Sequence, residues 1–320
     1  MSGNPVYRPL RVSQSEIRIL VIRPSADDPA PLQCALEYAS LGSNPRYVAL
    51  SYCWGDQRLK EPIHIFDSTI QVTTNLARAL RHLRQRQRVL RLWADAVCTN
   101  QDDLDERSQQ VLAMSAIYRS AEEVIAWLGY SPRSPGTAAS DVVTAAKAVV
   151  KALSCSYKRR LVYGDAKRLS LDGRHAFKSL VDNEYWNRVW IIQEFAMAVD
   201  LTIIWNEHRF SHAKIAAAIA VLERLRDRKR QFAGADVIDR DRCHHVKQLC
   251  LFRNNQQNFA PVRLLRALEM SHRARSTDPR DKVFAILDGP TILPMPSYVL
   301  PRVEICRQAT LRLSRLTRSL

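Results

Sequence analysis

Glycine is scarce in this sequence, with nine residues in 320. None are arranged as G-x-G-x-x-G, which argues against a dinucleotide-binding redox fold built on that loop. The seven cysteines include no C-x-x-C pair and are odd in number. A disulfide scaffold is therefore not expected, and a reducing, cytoplasmic setting fits best. The N-terminus, Met1-Ser2-Gly3-Asn4-Pro5, lacks the basic-then-apolar pattern of a secretory leader. No apolar run approaches the roughly 20 residues that cross a bilayer, so no membrane span is expected. Acidic residues are in deficit, 32 against 48 Lys and Arg, which leaves a formal charge of +16. Such a surface attracts anions but says nothing about fold.

What is present is a succession of short apolar runs separated by helical patterns. Residues 16–22 and 33–40 read as strands. Tyr47-Val48-Ala49-Leu50-Ser51-Tyr52 reads as a buried strand ending in Cys53-Trp54-Gly55-Asp56, where glycine permits a tight turn. A hairpin is expected over residues 62–72, followed by a helix that Thr74 or Asn75 caps and that runs to about residue 85. Residues 89–95 form the next strand and deliver Asp95 to its end. A polar loop at 98–103, a helix at 104–119 and a strand at 123–129 follow. Alternating strands and helices define an α/β class with a parallel sheet, in which ligands bind beyond the carboxyl ends of strands. Ser51, Asp56, Asp95 and Asn100 all belong to those ends.

Residues 131–136 are a Pro/Ser-rich break, and the segment to about 180 reads as a helical insertion. A strand at 200–205 precedes helices at 211–228, 239–253 and 261–271, a helix start at Asp278-Pro279-Arg280-Asp281, and a basic amphipathic tail from 297. Cys243-His244-His245 with Cys250 is either a poorly spaced metal cluster or a surface helix bearing soft side chains. Basic side chains recur at 78–91 and 224–230 without interleaved aromatics, which makes nucleic-acid binding unlikely.

One stretch stands out, Tyr185-Trp186-Asn187-Arg188-Val189-Trp190-Ile191-Ile192-Gln193-Glu194-Phe195. On a helix Trp190 and Glu194 share a face, with Gln193 beside them. A carboxylate among so much apolar surface needs a partner or a task. By itself the stretch reads as an Arg188–Glu194 structural ion pair beside a core helix.

Four ordered blocks resemble the fungal heterokaryon incompatibility (HET) domain. They are Ala49-Leu50-Ser51-Tyr52-Cys53-Trp54-Gly55-Asp56, then Leu92-Trp93-Ala94-Asp95-Ala96-Val97-Cys98-Thr99-Asn100-Gln101, then Arg188 through Glu194, then Thr277-Asp278-Pro279-Arg280-Asp281-Lys282-Val283-Phe284-Ala285. Together with the helices and strand between them, the resemblance covers about residues 45–290. Ala94, Thr99 and the Trp205-Asn206-Glu207 turn depart mildly from the family pattern. The resemblance implies strands 1–44 packing on the core, a HET domain over 45–210 and a helical extension over 211–320.

HET domains have in turn been likened to TIR domains, which implies a TIR-like, flavodoxin-like sheet flanked by helices. In enzymatic TIR domains a glutamate four residues after a tryptophan is essential for NAD cleavage. By that likeness Glu194 is the candidate catalytic residue. Ser51, Tyr52, Trp54, Gly55, Asp56, Asp95, Asn100, Trp190 and Gln193 are the candidate nucleotide-binding set. Trp54, Trp93 or Trp190 could stack on a heterocycle, although Trp93, with Trp127 and Trp186, reads first as core packing. Asp95 serves equally well as a loop cap. NAD would be a substrate, with no cofactor and no metal. The expected biology is programmed cell death in allorecognition, by enzyme action or by a self-associating signalling module, with an activating partner that the sequence does not identify.

Overall fold

The computed structural model describes residues 6–27, 29–130, 177–228, 239–254, 260–286 and 296–317. The expected insertion at about 131–180 therefore lies almost wholly outside the described residues. The chain divides into two compact units, one of Met1–Ala126, Arg188–Asp200 and Phe259–Leu320, the other of Trp127–Asn187 and Leu201–Asn258. Its strands are β1 (Glu16–Ile22), β2 (Gln33–Ser40), β3 (Val48–Tyr52), β4 (Lys60–Ile65), β5 (Ser68–Thr73), β6 (Leu90–Trp93), β7 (Glu123–Trp127), β8 (Leu201–Trp205) and β9 (His208–Ser211). The helices are α1 (Thr74–Leu83), α2 (Asp95–Cys98), α3 (Leu104–Ser120), α4 (Ile191–Met197), α5 (His212–Arg228), α6 (Arg240–Asn254), α7 (Ala260–Arg273), α8 (Asp281–Phe284) and α9 (Arg302–Thr317).

In the first unit the sheet order is β5-β4-β2-β1-β6-β3-β7. The α/β class is as expected, but the sheet is mixed. β3 pairs with β6 in parallel, and β2 with β4 in parallel, whereas β1 is antiparallel to both β2 and β6. The reason lies in β1 itself. Every residue of it except Val21 is buried, so both of its faces must be covered and it takes an interior place in the sheet. Strands β4 and β5 close the sheet as an antiparallel hairpin around Phe66, which has positive φ.

β1 also carries Arg18, fully buried, whose guanidinium donates to both oxygens of Glu106 on α3 at 2.5 and 2.9 Å. A buried charge survives only when paired and hydrogen-bonded, and Arg18 adds bonds to the carbonyls of Arg8 and Cys98. Glu106 Oε1 also accepts from the Asn100 backbone N–H at 2.6 Å, which anchors the loop after α2. α3 begins where the side chain of Asp103 accepts from the N–H groups of Asp105 and Glu106.

In the second unit β8 and β9 form an antiparallel hairpin through Asn206, which has positive φ, and α5 packs on α6. The sequence reading missed β9, because only four residues follow the turn before the helical pattern starts. Trp186 is buried and donates from Nε1 to the Leu180 carbonyl at 2.8 Å. Trp127 is likewise fully buried, so both tryptophans are core residues, as read. On α6, His245 Nε2 lies 2.7 Å from the Trp186 carbonyl, His244 bonds Gln248, and Cys243 and Cys250 are buried. Among the described residues no group of three or more His, Cys, Asp or Glu is arranged to hold a metal ion. No helix among them is long and apolar enough to cross a membrane.

Candidate functional site

The parallel pairing of β3 with β6 brings their carboxyl ends to one edge of the sheet. β3 ends in Ser51 and Tyr52, and the chain after β6 reaches Asp95 at the start of α2. α4 packs against β3 and α3 and carries Glu194, which is 1% exposed. Its carboxylate is met from two directions. Ser51 Oγ donates to Oε2, and the guanidinium of Arg188 donates Nη1 to Oε2 at 3.0 Å and Nη2 to Oε1 at 3.1 Å. The Arg188–Glu194 pair read from the isolated stretch is thus present, and a third partner, 143 residues away in sequence, completes it. Burial lowers the affinity of the Arg188 guanidinium for its proton, but Glu194, and with it Cys53 and Asp95, more than offset this and hold it firmly charged.

Beside this cluster Asp95 Oδ2 accepts from Trp54 Nε1 at 2.9 Å, and Oδ1 accepts from the Ala96 N–H at 2.8 Å. Burial raises its pKa above the ordinary 3.8, Glu194 adds to the rise, and Arg188 opposes it. Tyr52 is buried, and among the described residues its hydroxyl has no hydrogen-bond partner of good geometry, although Asp95, Arg188 and Glu194 all act on it electrostatically. Desolvation first, then Asp95, drives the phenol well above its usual 10. Two carboxylates in one cluster thus have different surroundings, one held by a guanidinium and one by an indole and a backbone amide.

The remaining candidates separate by exposure. Trp54 and Trp190 are half-buried, so their rings are accessible in part, whereas Trp93 is 1% exposed and stacks edge-on to Tyr118 in the core. Gly55 has φ +77°, a conformation that favours glycine in the turn after β3. Asp56 is exposed and gives both oxygens to Arg58, so it is held in that turn rather than in the cluster. Asn100 stabilises its own loop, its side chain accepting from the Asp102 N–H at 3.3 Å. Gln193 is buried and donates from Nε2 to the Phe284 carbonyl at 3.4 Å. Of the sequence candidates, Ser51, Tyr52, Trp54, Asp95 and Glu194 come together, while Asp56, Asn100 and Gln193 are engaged elsewhere.

Two features escaped the sequence reading of the site. Arg188 was seen only as a structural partner, yet it is the one cation holding the candidate carboxylate among the described interactions. The chain from Arg275 to Ala285 braces the Arg188–Glu194 segment. Val189 N–H donates to the Arg275 carbonyl at 2.9 Å, and Arg188 and Arg275 form a parallel bridge. Asp281 Oδ1 accepts from the Tyr298 hydroxyl at 2.8 Å, and Trp190 favours the charged form of the same carboxylate. Arg107 lies over the Tyr298 ring at 4.2 Å. The sequence signal was there in the four-block order, but neither block alone reveals that they touch.

An α/β domain with a buried carboxylate, guanidinium and hydroxyl at the carboxyl end of a sheet strand is the class that this fold and site define. Residues 47–194, a little under half of the chain, match the family model described as heterokaryon incompatibility protein (HET). The matched range contains Ser51, Trp54, Asp95, Arg188 and Glu194, whereas the bracing residues Arg275, Asp281 and Tyr298 lie beyond it. The chain is similar to heterokaryon incompatibility protein 6, OR allele, of Neurospora crassa, with 29% identity over 244 residues. That match covers 64% of this chain and 35% of the relative, so the chain spans well under two thirds of that protein's length. No solved structure matches it significantly.

Proposed function

We propose that this chain acts in fungal heterokaryon incompatibility, triggering cell death in allorecognition, and that it does so by cleaving the nicotinamide–ribose bond of NAD. The observation that carries the reading is the Glu194 carboxylate, buried at the carboxyl end of β3 and held by Ser51 and Arg188. The likeness to a heterokaryon incompatibility protein supports the biological role. In the proposed step the C–N glycosidic bond breaks and its electron pair leaves with nicotinamide, which departs as a neutral ring. The ribose becomes oxocarbenium-like, and a nearby carboxylate stabilises that charge and holds the ribose hydroxyls. Water then adds at the anomeric carbon and releases a proton, giving ADP-ribose. Half-buried Trp54 and Trp190 offer faces for a flat heterocycle.

The second reading is a non-enzymatic module that self-associates. It is favoured by the closure of Glu194, whose two oxygens are both already occupied. NAD loss and viability, measured together in cells expressing wild type or Glu194→Gln, separate the two. The enzymatic reading expects toxicity with NAD depletion in wild type and neither in the variant. Toxicity with unchanged NAD overturns it in favour of the module.

A further inference from the structure

The Arg188–Glu194 pair has an unequal relation to solvent. The Arg188 side chain is 18% exposed and that of Glu194 only 2%, so a solute entering from solvent reaches the guanidinium more readily. The Arg188 backbone is fixed by its bridge to Arg275 and by the bond from Val189 N–H to the Arg275 carbonyl. Any change of partner is therefore made by the side chain alone. A guanidinium fork matches a phosphate as well as it matches a carboxylate. Its departure would leave Glu194 buried with only the Ser51 hydroxyl, a costly state unless new donors arrive. A ligand that replaces both sides of the pair must bring an anion for Arg188 and hydroxyl donors for Glu194. A ribose-bearing phosphate ester has both.

Resting on the reading of Glu194 as the ribose-facing carboxylate, we infer that Arg188 is an exchangeable arm: from its clasp on Glu194 it transfers to the phosphate of a nucleotide ligand, freeing the carboxylate for the ribose. Arg188 is then both the anion-recognising residue and the lock on the resting site. The overall excess of 48 basic over 32 acidic residues favours the approach of such a ligand.

Calorimetric titration of the full chain with inorganic pyrophosphate and with ADP-ribose tests this directly. In wild type, pyrophosphate must break the pair without supplying donors to Glu194. Glu194→Gln removes that cost and is expected to bind pyrophosphate at least tenfold more tightly. The gain should vanish in the Arg188→Gln/Glu194→Gln double variant. ADP-ribose affinity should fall at least tenfold in Arg188→Gln and in Arg188→Lys, which keeps the charge but loses the fork. A residue that only held the fold together would not produce a gain in any variant. Circular dichroism confirms folding of each protein, and Arg188→Lys serves should a glutamine variant not fold. Pyrophosphate binding that is equal in wild type and Glu194→Gln, a gain that survives in the double variant, ADP-ribose affinity unchanged in Arg188→Lys, or no binding of either probe overturns the proposal. NAD turnover by the same wild-type preparation tests the parent reading separately. Turnover without the exchange pattern removes only the arm, and the pattern without turnover removes only the hydrolase.

Discussion

Glu194 accepts three hydrogen bonds from two side chains, Ser51 and Arg188, and the ion pair and the hydroxyl contribute unequally. Glu194→Ala leaves Arg188 largely buried without its carboxylate, and removing one partner of such a pair destabilises by about 3–5 kcal/mol. Ser51→Ala deletes one hydroxyl but leaves the guanidinium in place, so the expected cost is about 1 kcal/mol. Urea unfolding of the two variants beside wild type checks the order, and a larger loss in Ser51→Ala would mean that the hydroxyl, not the ion pair, secures α4. The pair itself was legible because Arg188 and Glu194 flank one apolar helix start. The Ser51 contact was not, since nothing local to either residue points across 143 positions, and only the family-like order of blocks placed them together. Asp56 lies apart from the cluster for a local reason. An arginine two residues on, in a tight turn, satisfies a carboxylate locally and turns it to solvent.

At the scale of elements, boundaries followed from local chemistry and neighbours did not. β1 and β2 were read with the bounds they have, because each alternates or runs apolar between turn segments. An apolar run buried on both faces does not, however, name the strand beside it, so the antiparallel place of β1 between β2 and β6 was hidden. α3 illustrates the legible part. Asp103 accepts from two N–H groups at 3.1 and 3.0 Å, and the second belongs to Glu106, the partner of Arg18. Asp103→Ala is expected to lose about 1 kcal/mol in chemical denaturation, with Asp103→Asn retaining most of it. The clasp at α8 responds to pH. Burial pushes Asp281 up to about 6 from 3.8, with the Tyr298 hydroxyl bond opposing. The folded chain therefore keeps a proton that the unfolded chain releases. Its stabilising contribution is complete below about 3.8 and is lost as pH rises through about 6. Glu16, held near 2 by Arg8, acts in the opposite direction and in a lower window, gaining stability as pH rises from about 2 to 4.5. Asp281→Asn should thus flatten the dependence between pH 4 and 6 by roughly 1–3 kcal/mol, measured as the difference in urea stability from wild type at the two ends. An unchanged slope would place the titration elsewhere.

Over the whole molecule, a charge of +16 invites the idea of a nucleic-acid binder, and the arginines of residues 78–91 are where it has to be weighed. Arg81 pairs with Glu61, and Arg91 with Glu37. Arg84 is 9% exposed and donates to the carbonyls of Asp27, Ala30 and Pro31. Three cations of the stretch are thus committed to the protein's own groups, and their work is to tie α1 and its flanks to the sheet. The second basic run, at 224–230, has side chains outside the described residues. What remains is a diffuse excess of positive charge, which binds a polyanion by counterion release and without a preferred sequence. Anisotropy titrations of a labelled 20-base-pair duplex are therefore expected to show binding at about 20 mM salt that weakens by roughly 100-fold or more by about 150 mM. Scrambling the duplex sequence should leave both values unchanged. Binding that persists at physiological salt, or that discriminates between sequences, would require a built interface, and the committed arginines of α1 and β6 would be the wrong place to look for it.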